Sequence, residues 1–80
     1  MISTINITNN SNNNLYIFLL YYNDLQQIAI LKPKKCILKN LPIGHLIQAN
    51  KESLINNISV PNENYKTKKI KKSRNYIIFD

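Results

Sequence analysis

The chain has 80 residues, 44% of them hydrophobic, and 11 Lys and Arg against 4 Asp and Glu give it a formal net charge of +7. That length holds one small domain with a modest core and a net stability of about 4 to 10 kcal/mol, to which partner contacts are expected to add. A single cysteine, Cys36, excludes an internal disulfide and any multi-cysteine metal site, and the basic excess makes a polyanion the expected partner.

Fourteen Asn, fourteen Ile and ten Lys make up almost half of the chain. This is the residue set of AT-rich codons and describes the genome more than the fold. The longest apolar run, Leu15 to Tyr22, is far short of the roughly 20 residues of a membrane-spanning helix. The stretch before it carries no Lys or Arg, unlike a signal peptide or presequence, so no membrane association is expected. The protein is expected either to stay where it is made, in an organelle that encodes it or in the cytoplasm, or to have lost a targeting segment.

In chain order, Ile2 to Thr8 alternates β-branched and polar residues as a half-buried strand does. The Asn-Ser run from Asn9 to Asn14 then reads as a hairpin turn or as low-complexity sequence without fixed structure. Leu15 to Tyr22 is a strand, and Asn23-Asp24 turns it into a second hairpin with Gln26 to Leu31. Pro33 ends that strand and Cys36 to Leu38 begins another, followed by a bend over Asn40-Leu41-Pro42-Ile43-Gly44. Gly44, the only glycine, marks local bending. His45 to Ala49 is strand-like, Lys51 to Asn57 a helical turn or loop, and Asn57 to Val60 apolar. Pro61 to Asn64 forms a turn, Lys66 to Lys72 is charged, and Asn75 to Phe79 is the last strand. Short strands at intervals of eight to twelve residues without helical period predict an all-β domain over 1–80: a small barrel of antiparallel strands or a sandwich.

Enzymatic chemistry has little to build on. A nucleophile needs a base and a group to orient that base, and one Cys, one His and four scattered carboxylates supply no such set beyond a Cys36–His45 pair. No glycine-rich phosphate loop exists. The protein is therefore expected to be no enzyme, with no cofactor and no small-molecule substrate. The strongest chemical feature is the cluster Lys66, Lys68, Lys69, Lys71, Lys72 and Arg74: six of the eleven cations in nine residues. On a strand, Lys66, Lys68 and Lys72 would share one face and Lys69 and Lys71 the other. Such a cluster neutralises phosphates by releasing counterions, or else it is a solvated edge strand whose lysines deter sheet pairing. Tyr65 and Tyr76 flank it and are candidates for stacking on unpaired bases or for packing at the rim. Tyr16, Tyr21 and Tyr22 are expected in the core or on a sheet face.

At Lys32 to Ile47 the sequence becomes more specific: Lys-Pro-Lys-Lys-Cys-Ile-Leu-Lys-Asn-Leu-Pro-Ile-Gly-His-Leu-Ile. It resembles universal ribosomal protein L-two of the large subunit, especially its mitochondrial forms, in which Lys-Pro-Gly-Asn leads into Leu-Lys-Asn-Ile-Pro-Ile-Gly. Leu38, Lys39, Asn40, Pro42, Ile43 and Gly44 match residue for residue, with Leu41 a conservative replacement. More loosely, Asp24, Ile30, Leu31 and Pro33 fall at the spacing of the family's OB-type barrel, and Lys69 to Ser73 with Tyr76 to Ile78 is similar to its basic strand. The family's glycine-rich loop would fall at Asn62 to Lys66, where no glycine stands. Its Ser-Ala-Gly is replaced by Ser73-Arg74-Asn75, and its His-Pro-His-Gly-Gly motif is missing, so no role at the catalytic centre is carried over.

The resemblance implies an OB-like remnant over 1–33 and an SH3-like remnant over 34–80. It also implies a structural role in a large ribosomal subunit, with the codon bias pointing to a mitochondrial one, beside ribosomal RNA and neighbouring ribosomal proteins. It adds Lys34, Lys35, Lys39 and His45 to the six clustered cations as RNA contacts, with Lys39 and His45 flanking a loop that faces RNA. The competing class is a β-sandwich interaction module, viral or secreted, whose lysines only solvate it; Asn-x-Ser/Thr sequons at Asn6, Asn9 and Asn57 would suit a secreted product.

Overall fold

The computed structural model describes all 80 residues as seven strands without a helix: β1 (Ile2–Asn9), β2 (Leu15–Tyr21), β3 (Asp24–Leu31), β4 (Cys36–Pro42), β5 (Leu46–Ile55), β6 (Ile58–Lys69) and β7 (Tyr76–Phe79). They form two sheets, one ordered β4-β1-β7 and the other β3-β2-β5-β6. The sheets are not closed into a barrel: β3, β4, β6 and β7 are all edges. All pairs are antiparallel except β1 with β7, which runs parallel from Asn6↔Tyr76 to Asn9↔Phe79. Both sheets combine strands from 1–33 and 34–80, so the two segments share one core.

The period-two pattern sorts side chains to the two faces. Ile5 and Ile7 of β1, Leu15, Ile17 and Leu19 of β2, Ile47 and Ala49 of β5, and Ile77 and Phe79 of β7 meet between the sheets, joined by Leu31, Leu41 and Ile70. β6 adds no fully buried residue. A three-stranded sheet covers only part of a four-stranded one, so β6 lies beyond the cover, with Tyr65 alone packing against the core.

Four local readings are corrected. The Asn9–Asn14 run does not close a hairpin, because β1 and β2 belong to different sheets. Nor is it unstructured. The Asn9 amide nitrogen donates to the carbonyls of Asn13 (2.7 Å) and Leu31 (2.9 Å), and its oxygen accepts from the Ser11 N–H (2.9 Å) and hydroxyl (2.6 Å). Every hydrogen-bonding site of that side chain is used, which lets Asn9 be fully buried. Second, β4 continues through Asn40 to Pro42, and the bend is confined to the residues after it, where Gly44 has φ +93°. A Cβ built on Gly44 meets nothing within 4 Å, so the glycine serves the backbone angle and not a close approach.

Third, Lys51 to Asn57 is neither helix nor loop: β5 runs to Ile55, and Asn56 and Asn57, both at positive φ, turn it into β6. Two consecutive left-handed residues are what a tight hairpin turn requires, and asparagine tolerates them. Fourth, Pro61 to Asn64 stays within β6, where register shifts opposite Asn50 absorb the irregularity; β6 is an edge, so the missing proline N–H leaves no gap in a central ladder.

Candidate nucleic-acid interface

The basic segment divides at Ile70. Strand β6 ends at Lys69, with Lys66 opposite Ala49, Lys68 opposite Ile47 and Lys69 opposite Leu46. Ile70 is fully buried, and its backbone is tied on both sides: its N–H donates to the His45 carbonyl (2.9 Å) and its carbonyl accepts from Gly44 N–H (2.8 Å). Apolar burial therefore pins the chain at the point where it leaves one sheet for the other. Lys71 to Arg74 form a turn, closed by a bond from the Arg74 N–H to the Lys71 carbonyl. The Asn6 N–H then captures the Asn75 carbonyl (2.9 Å) and sets β7 parallel to β1.

This path encloses an open cavity of about 750 Å³ between the end of β6, the turn and β7. Lys68, Lys69, Lys71 and Arg74 line it together with Tyr76, and Thr8, Asn10 and Asp80 close one end. Four cations against one carboxylate leave a net charge of +3 on the lining. The Asn10 amide also donates to the Asp80 carboxylate (2.9 Å), leaving that acid partly engaged within the protein. Lys34, at the β3–β4 turn with φ 65°, extends its ammonium to the Asn10 carbonyl (2.8 Å) and so stands beside the same end.

The remaining expected site residues lie elsewhere. Lys66 and Lys51 both place their ammonium groups over the Tyr65 ring, at 5.3 and 4.5 Å from its centroid, and the Tyr65 hydroxyl donates to the Asp80 carbonyl. That ring is engaged and half-buried, which removes Tyr65 as a stacking surface and leaves Tyr76. Lys39 does not flank a loop. It sits in the middle of β4 opposite Ile5, half-buried, on the inward face shared by Ile37 and Leu41. An inward charge on an edge strand blocks further strand pairing, which is a structural use. Lys35 lies in the β3–β4 turn, where its carbonyl accepts from the Asn9 N–H, and Lys72 is exposed in the β6–β7 turn outside the cavity lining.

His45 stacks on Tyr21 (centroids 4.8 Å apart, 23° between planes) and meets Tyr22 edge-on at 5.4 Å. Tyr22 is 74% exposed, so these rings form a surface cluster, where the sequence reading placed Tyr21 and Tyr22 in the core or on a sheet face and His45 against RNA. They border a second, more apolar cavity of about 450 Å³. The Cys36–His45 pair does not form. Cys36 opens β4 and His45 follows its other end, so the length of the strand, about 20 Å at 3.3 Å per residue, separates them.

Residues missed by the sequence reading are Thr8, Asn10 and Asp80, which only the parallel β1–β7 pairing brings to the basic turn. Comparison with family models, with curated proteins and with solved structures finds no match. Fold and site together define an open two-sheet β domain with a cationic groove along one edge.

Proposed function

We propose that the protein is a non-enzymatic RNA-binding β domain that holds phosphates in the groove between β6 and β7. The observation that carries this is the convergence of Lys68, Lys69, Lys71 and Arg74 on one concave surface. Converging cations neutralise a phosphate chain and release its condensed counterions; scattered ones supply only a diffuse field. Within that class, the Leu38 to Gly44 block and the AT-rich residue set favour a structural component of a mitochondrial large ribosomal subunit, in contact with ribosomal RNA and neighbouring ribosomal proteins. In this reading 1–33 and 34–80 are OB-like and SH3-like remnants merged into one sandwich.

The test is affinity for a structured RNA measured against salt. Four phosphate contacts, at roughly 0.7 to 0.9 each, give a slope of log affinity on log salt of about −3. A slope near zero defeats the electrostatic reading, and loss of the protein from ribosomal particles in a mild salt wash defeats the ribosomal one.

A second reading, a β-sandwich interaction module, has its own observation. The outward face of β2 is apolar: Tyr16 lies between Ile30 and Asn50, and Leu20 between Leu25 and Leu46, with Phe18 between these rows. Strands that are apolar on both faces are ordinarily covered on both. Sedimentation as a free dimer with no RNA attached would favour this module.

A further inference from the structure

Resting on the RNA reading of the groove, we propose that it recognises unpaired RNA, with one base stacked on the Tyr76 ring and the adjoining phosphates on Lys68, Lys69, Lys71 and Arg74. Tyr76 is the one aromatic residue in the cavity lining. It opens β7 and points outward, opposite in phase to the buried Ile77 and Phe79, and it is 47% exposed. Its ring pairs with no other aromatic residue, and the Arg74 guanidinium stands 5.9 Å from its centroid. A flat π surface with an exposed cation beside it is the arrangement that binds single-stranded nucleic acid. The base supplies a face, and the guanidinium moves onto the base or its phosphate.

The register puts polar groups where a base edge would lie. Asn6 and Thr8 of β1 stand beside Tyr76 and Ile78 respectively on the same outward face. The Thr8 hydroxyl donates to the Asn6 side-chain oxygen (3.4 Å), which leaves the Asn6 amide nitrogen to donate outward. Exposed Ile78 extends the platform by one apolar contact. A duplex cannot use such a surface, since its base faces are already stacked on one another. The groove therefore discriminates by strandedness, although its cations attract any polyanion.

The test compares a twelve-nucleotide oligouridylate with its abasic phosphodiester counterpart, equal in length and charge, and with an RNA duplex of the same length. Binding is read by anisotropy with the parent protein, Tyr76→Leu and Tyr76→Phe, each first checked for an unchanged melting temperature. Upfield shifts of the Tyr76 ring protons on titration with oligouridylate are the direct signature. The expected result is that Tyr76→Leu weakens oligouridylate at least five-fold and leaves the abasic chain and the duplex unchanged, while Tyr76→Phe retains parent affinity. Equal affinities of the parent for oligouridylate and abasic chain, with no ring shift, overturn the stacking inference and leave the phosphate groove standing. Failure of all three probes to bind overturns the RNA reading itself, and the inference with it.

Discussion

Replacing Lys68, Lys69 and Lys71 together by Gln removes three of the four cations that line the groove and lowers the net charge from +7 to +4. Replacing Lys32, Lys35 and Lys39 by Gln lowers it by the same amount without removing any residue of the groove lining. The groove lysines are all exposed, so their substitution leaves the core intact. Each phosphate contact contributes roughly 0.7 to a single-strand salt slope, so three contacts amount to about two log units at 0.1 M salt. The groove triple should therefore bind a labelled single-stranded RNA about 100-fold more weakly, with its slope reduced from about −3 to about −1. The second triple acts only through a field that decays over about 10 Å at this ionic strength, and should cost a few-fold while keeping the slope. Fluorescence anisotropy between 50 and 400 mM salt measures both quantities. Equal losses and equal slopes for the two triples would show that net charge alone governs binding, and that the convergence of these side chains has no functional meaning.

Asn9→Asp keeps the shape of the side chain but turns its two-fold donor into an acceptor facing the carbonyls of Asn13 and Leu31; a loss of about 2 to 4 kcal/mol in urea unfolding is expected, against under about 0.5 for exposed Asn12→Asp. Gly44→Val, at φ +93° with open space around it, should cost about 1 kcal/mol or more from backbone strain alone, and an unchanged melting temperature would refute that. Lys39→Ala should leave RNA affinity within two-fold of the parent, since the side chain lies on the inward face of β4; a loss as large as that of Lys71→Ala in the same anisotropy assay would return Lys39 to the interface. Phe79→Ala empties a fully buried site at a cost of about 3 to 5 kcal/mol, enough to unfold much of so small a domain, as thermal melting would show.

The elements that were legible in the sequence are those set by local chemistry. Alternation from Ile2 to Thr8, the apolar run from Leu15 and the turn residues after it identify β1, β2, β3 and their extended character. The β2–β3 hairpin follows from them, with antiparallel pairing from Leu15↔Leu31 to Tyr21↔Asp24, although its turn is Tyr22-Asn23, with Tyr22 at φ 57°, and Asp24 already opens β3. What was illegible depends on distant partners. Asn9 to Asn14 has the composition of a hairpin turn, yet Asn9 is bound to the carbonyl of Leu31, 22 residues away, and so β1 is sent to a different sheet from β2. Lys51 to Asn57 mixes charged and apolar residues without clear alternation, because β5 has already passed the end of β2 and projects with β6 as a two-stranded ribbon. In the site, the cations were visible as a run, but their division was not. It follows from the burial of Ile70, which separates residues held on a strand from residues held in a turn.

That division also bears on whether the lysines merely protect an edge. Edge protection needs charges on the strand that would otherwise pair, and Lys66, Lys68 and Lys69 on β6 supply them, as half-buried Lys39 does for β4. It gives no reason for Lys71 and Arg74, which lie in a turn with no ladder to protect, nor for their meeting Lys68 and Lys69 around a single concavity. Mutual repulsion makes such a meeting unfavourable in the isolated protein, and the lining offers only Asp80 to offset it. A binding partner rich in negative charge removes that repulsion, so the groove gains most from the kind of ligand that a solvated edge would not need. Edge protection thus accounts for the strand lysines, and phosphate binding accounts for their joining with the turn.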